Sequence, residues 1–172
     1  LYNYGLAVGF ATKEYDTSYG LIAEAQTLFE GLGDDDGLGD VAWARANFHL
    51  ALEELDPAYE GYLVAVDRYR RSGNEFGVGW SLFEAGYVLA LLDQHDRAWP
   101  TFSEALRLFW GHRDVSGVVM NLFQMAGVAR NLGDLHRSYR LLGAMDTLRK
   151  STGVDLVGVE FNSIEGIDLD RL

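Results

Sequence analysis

Apolar residues recur along the chain at helical spacing. Leu82, Ala85, Gly86 and Leu89 fall at i, i+3, i+4 and i+7, and Ala98, Phe102, Ala105, Leu106 and Phe109 fall at i, i+4, i+7, i+8 and i+11 after a polar break, LDQHD. Such spacing puts one apolar stripe on each of two helices. The break between them predicts a helix–turn–helix unit. Asp96 is placed to cap the second helix, since a carboxylate there can accept orphan backbone N–H groups. Asp56-Pro57 is the matching start one unit earlier, with Pro at the first helical position, and Pro100 falls in a first turn.

The unit repeats every 40 residues. Gly37, Gly77 and Gly117 share that spacing, as do the aromatics Tyr19, Tyr59, Trp99 and Tyr139. Further columns are Asp16, Asp56 and Asp96; Ala25, Ala65, Ala105 and Met145; Phe29, Tyr69 and Phe109; and Trp43, Phe83 and Phe123. Several independent columns at one period identify a repeat architecture. The division is a truncated first unit at 1–37, then 38–77, 78–117 and 118–153. After Gly153 the pattern fades into VDLVGVEFNSIEGIDLDRL. This segment, 154–172, is expected to cap the last unit, with a short helix near 158–165. The fold class is therefore all-α, a solenoid of antiparallel helix pairs.

The period also reads the acidic stretch GLGDDDGLGD, residues 31–40. Gly33-Asp-Asp-Asp-Gly37 aligns with Gly73-Asn-Glu-Phe-Gly77 and Arg113-Asp-Val-Ser-Gly117. The other copies carry Phe76 or Val115 where the first has acid, so no metal site is repeated. The calcium-loop pattern of alternating ligands, central Gly and distal Glu is also absent. The stretch is read as a solvated link between units.

Composition narrows the classes. With 48% hydrophobic and 23% charged residues the chain is globular rather than disordered. It has no cysteine, which removes disulfides, thiolate metal sites and cysteine nucleophiles. A net charge of −12 opposes direct contact with nucleic acid. No apolar run reaches membrane-spanning length and no signal segment opens the chain, so a cytoplasmic location without membrane contact is expected. The chain opens inside an apolar-periodic segment, LYNYGLAVGF, without Met, as expected of a piece of a longer protein.

The small and aromatic columns resemble the tetratricopeptide repeat family. Its pattern of aromatic, Leu, Gly and Tyr, then small, aromatic, small, is matched best by Leu82, Ala85, Gly86, Leu89, Ala98, Phe102 and Ala105. The second unit supplies Ala46, Ala58, Tyr62 and Ala65, with Arg45 and His49 at apolar places. The fourth supplies Leu122, Met125, Ala126, Ala129, Ser138, Leu142 and Met145, and the first Ser18, Ile22 and Ala25. The period is 40 rather than the family's usual 34. In this it looks like the arrays of bacterial signalling ATPases and transcription regulators of the LuxR and AfsR type. The resemblance implies a right-handed superhelix in which Gly86 and Ala98 let helix backbones approach. It also implies a non-enzymatic protein–protein interaction module with a regulatory role and no cofactor.

The resemblance also places the site. First helices line the concave side, which puts Asp40, Trp43, Asn47 and Leu50 inward in the second unit. Trp80, Phe83, Tyr87 and Leu91 follow in the third, and Met120, Phe123, Arg130 and Asn131 in the fourth; Asn3, Ala7 and Phe10 are the first-unit equivalents. The candidate partner-binding residues are Trp43, Asn47, Trp80, Phe83, Tyr87, Phe123, Arg130 and Asn131. Aromatic and Arg side chains favour hot spots, and a peptide or amphipathic helix could lie along them. The column Trp43, Phe83, Phe123 can instead be core packing, which leaves Trp80, Tyr87 and Arg130 as the contacts. The basic positions that grip chaperone C-termini hold Trp43, Phe83, Phe123, Ala51 and Leu91 here, with only Asn47 matching. That excludes this family role.

Catalytic motifs and metal-ligand spacings are missing: no G-x-S-x-G, H-E-x-x-H or P-loop occurs. His49, His95, His112 and His136 sit at unrelated places and are read as exposed or partly packed, and Glu53-Glu54 as a capping, solubilising turn. Two alternatives to a peptide-binding module are a small-molecule inducer sensor using the same strip and a homo-oligomer. The latter would use a last-helix face such as Leu141, Leu148 and Val154.

Overall fold

The computed structural model describes residues 15–154, with side chains from residue 17 onward. The first helix of the first unit and the 158–165 helix fall outside this range, as do Asn3, Ala7 and Phe10. The described residues form seven helices and no strand: α1 (Tyr15–Leu32), α2 (Asp35–Ala51), α3 (Leu55–Ser72), α4 (Glu75–Leu91), α5 (His95–Gly111), α6 (Val115–Asn131) and α7 (Leu135–Thr152). Each helix packs on the next. In addition α2 reaches α4, and α4 reaches α6, so first helices of successive units form a continuous row. The result is an α–α solenoid.

The second helices show why the sequence folds this way. Residues 18, 22 and 25, then 58, 62 and 65, 98, 102 and 105, and 138, 142 and 145 lie at i, i+4 and i+7 on one face. All twelve are 3% exposed or less. A small residue, a large one and another at these positions let each second helix nest on its first helix. The tight spot at Gly86 is filled by a side chain rather than by helix backbone: a Cβ there would lie 2.9 Å from the Phe102 ring.

Turns come every 20 residues, each with one left-handed residue. Gly33, Gly73, Arg113 and Gly153 separate units, and Glu53, Asp93 and Gly133 separate the helices within them. Caps follow the same register on the first helices, and of the second helices α7 is capped as well, Asp134 accepting from the Arg137 N–H at 2.9 Å. The side chains of Asp34, Asn74 and Asp114 accept from the backbone N–H of Gly37, Gly77 and Gly117 at 2.8–3.1 Å. The expected second-helix cap is corrected: α5 begins at His95 with Gln94 as its N-cap, and Asp96 lies inside the first turn. The Gln94 carbonyl accepts from the N–H groups of Arg97 and Ala98, which fixes this earlier start. Likewise α3 begins at Leu55, so Pro57 is its third residue. Pro100 becomes the sixth residue of α5, beyond the first turn, where its ring faces the Asp96 carbonyl.

The acidic stretch is also more structured than a solvated link. Only Gly33 and Asp34 lie between helices. Asp34 caps α2, Asp35 pairs with Arg68 of α3 at 2.7 Å, and Asp36 accepts from Asn74 at 2.8 Å. Carboxylates in a helix's first turn are stabilised by its dipole.

The aromatic columns have separate tasks. Phe29, Tyr69 and Phe109 fill the space above Gly37, Gly77 and Gly117, where an added Cβ would lie 2.3–2.7 Å from the ring. On the second-helix side Arg97 stacks over Tyr59 at 5.1 Å and Arg137 over Trp99 at 5.0 Å, the same contact one unit apart.

Candidate functional site

A groove of about 380 Å³ opens between α2 and α4. Asp40 and Trp43 come from α2, Phe76, Gly77 and Trp80 from α4, Tyr69 from the end of α3 and Asn74 from the link. Four of these seven residues are aromatic. Tyr69 is the element that builds the place. Its ring stands between Gly39 and Gly77, since a Cβ on either would approach it to 2.7 Å. Its hydroxyl donates to Asp40 Oδ1 at 2.7 Å. The carboxylate is thereby held at the groove wall.

Burial raises the Asp40 carboxyl above the usual range, the Tyr69 hydrogen bond works against this, and the nearby Asp36 and Asp34 push the same way as burial. No Lys or Arg pairs with Asp40 among the described residues. Trp80 packs edge-on against Phe109 at 5.0 Å, Phe83 at 5.8 Å and Phe76 at 6.3 Å. Phe76 is 54% exposed at the lip. The Trp43 indole N–H is buried without a hydrogen-bond partner.

Of the residues proposed from sequence, Trp43 and Trp80 come together in this groove. Asn47 donates to the Trp43 carbonyl at 2.8 Å, within its own helix. Phe83 is only 4% exposed and sits in the core against Phe102 and Phe109. Tyr87 and Phe123 are half-buried against the core, whereas Arg130 and Asn131 are exposed at the end of α6. The eight thus spread over three helices.

Glu84 was not anticipated. It is largely buried in α4, facing Tyr62, and burial lifts its carboxyl to about 7. The Tyr62 hydroxyl is fully buried without a partner, and its own ionisation is pushed up by burial and by Glu84. The signal was legible: past the first turn, Glu84 is the one charged residue of α4. Tyr69 was visible only as one member of an aromatic column.

The histidines are placed by local partners. His49 meets Glu54 at 2.6 Å and His112 meets Glu75 at 2.9 Å, while His95 packs at the start of α5 and His136 is exposed. Glu54 therefore serves His49, and it makes no side-chain cap on α3. Among the described residues no three His, Asp or Glu side chains converge as a metal site would require.

A second, more apolar groove is lined by α5, α6 and α7. Trp110 of α5, 72% exposed, borders it with Val118, Leu122, Ala144 and Leu148. One unit earlier the places of Trp110 and Ala144 are held by Arg70 and Glu104, which form an ion pair at 2.7 Å. Leu148 of the proposed self-association face lines this groove, and Leu141 packs half-buried against the core.

No protein-family model matches the chain, and no curated protein does. Among the described residues no helix is long and apolar enough to cross a membrane.

Proposed function

We propose that this chain is a non-enzymatic interaction module that binds a peptide or protein along its first-helix face. The observation that carries this reading is the Trp43–Trp80 groove. Two large aromatic side chains remain half-buried there beside a held carboxylate, while the Phe83 position one unit on is closed. Aromatic anchors in a concave, partly desolvated place are what binding hot spots use. The tetratricopeptide-like columns support the same role, as the regulatory part of a larger cytoplasmic bacterial signalling or transcription-regulatory protein. A sensor of small molecules is the second reading, favoured by a groove volume inside the range of ligand sites.

The test is affinity capture from source lysate with the full chain and with Phe76→Ser. This substitution installs the residue that the next unit carries at Ser116 and leaves the core untouched. A partner retained by the parent and lost by the variant, at unchanged helicity, supports the face as the site. Equal retention moves the site elsewhere. A gain in melting temperature with a metabolite pool, and no captured protein, favours the sensor.

A further inference from the structure

We propose that the groove between α2 and α4 is a site for an organic cation, the guanidinium or alkylammonium group of a partner's side chain. This deepens the first-helix reading and rests on it.

The open walls are Trp43, Trp80 and Phe76, with the buried Tyr69 behind them holding the Asp40 carboxylate. Aromatic faces attract organic cations through their quadrupole, best when the cation is weakly hydrated and one carboxylate completes the enclosure. The same chain already uses this contact twice, Arg97 on Tyr59 and Arg137 on Trp99. Those rings have their cations, whereas among the described residues no Lys or Arg pairs with Asp40 of the groove.

The surrounding field has the matching sign. Asp34 and Asp36 act on Asp40, and Asn74, which lines the groove, is held by Asp36. The acidic stretch of α2 thus makes a negative border around an aromatic floor. A net charge of −12 adds a long-range attraction for basic partners.

The repeat supplies an internal comparison. One unit on, the places of Asp40 and Tyr69 are held by Trp80 and Phe109, which make an edge-on ring contact at 5.0 Å in place of the hydroxyl–carboxylate bond. The array therefore does not need a carboxylate there for packing. Asp40 and its supporting phenol are an addition to the common scaffold, located where the aromatic walls open.

The experiment follows the four indole N–H signals of the full chain in heteronuclear spectra during titration. The probes are N-acetyl-arginine amide, N-acetyl-lysine amide, choline and its neutral isostere 3,3-dimethylbutan-1-ol. The expected result is a saturable shift of the Trp43 and Trp80 signals by an amino-acid cation, with Trp99 and Trp110 unmoved. The neutral isostere should give no matching shift. Asp40→Asn should weaken the amino-acid probe about tenfold, as loss of a charge-assisted contact does. Asp40→Asn retains an acceptor for Tyr69, and its circular dichroism and melting temperature report whether the scaffold is intact. No shift by any cation, an equal shift by the isostere, or equal affinity in Asp40→Asn at retained fold overturns the proposal. Binding of choline alone overturns the peptide source. If the cations fail while Phe76→Ser still loses a captured partner, the first-helix face stands and only its cation chemistry falls.

Discussion

The ring of Phe109 occupies the space that a β-carbon on Gly117 would take: the ring's Cδ1 would lie 2.5 Å from it. The two residues are eight apart, on α5 and α6, and the same lock joins Tyr69 to Gly77 and Phe29 to Gly37. It explains why glycine recurs inside the first turn of helices that would otherwise gain from alanine.

Gly117→Ala is expected to destabilise the chain by about 1–3 kcal/mol, since the ring is buried and cannot swing clear. Gly127, in the same helix, has nothing within 4 Å of an added Cβ. Gly127→Ala should stabilise by up to about 1 kcal/mol through helix propensity. Opposite shifts in melting temperature check the pair; a gain at both positions removes the lock.

Glu53 stands at φ 60 in a turn whose counterpart at position 133 is glycine. A side chain in the left-handed region costs roughly 1 kcal/mol. Glu53→Gly should therefore raise stability by about 0.5–1 kcal/mol despite the added freedom of the unfolded chain. Urea midpoints of parent and variant measure it, and a lower midpoint in the variant contradicts it.

Pro100 removes a donor and crowds a carbonyl in the second turn of α5, at an exposed position. Pro100→Ala restores the bond to Asp96 and should stabilise by about 1–3 kcal/mol. The melting temperature and the protection of the new amide against exchange both report on it.

Glu84 binds its proton more tightly in the folded chain, at about 7, than at the ordinary 4.5. Its contribution to stability is fully present below pH 4.5 and is lost as pH rises through 7. Glu84→Gln should match the parent near pH 4 and exceed it at pH 8 by up to about 3 kcal/mol. Denaturation of both proteins at both pH values gives the difference. A constant gap between the two proteins at both pH values would contradict the assignment.

The sequence by itself determined the repeat, the helix pairs and the buried second-helix face. These are periodic, and a pattern that must close the same core in every unit is written in every unit. It also marked the acidic stretch as part of the inter-unit link. Only the tertiary structure decided where each cap sits, because a helix start depends on which carbonyl is met first: Gln94 rather than Asp96. The sequence already offered the column Trp43, Phe83, Phe123 as packing and set Trp80 apart from it; only the tertiary structure split that column, burying Phe83 while Trp43 lines the groove, since burial depends on what the neighbouring unit places opposite. The same holds for Asp40 and Tyr69. They lie 29 residues apart and become one site through two glycines, one on each side of a ring. A contact made once, between the two helices of a single unit, leaves no period for a sequence to display.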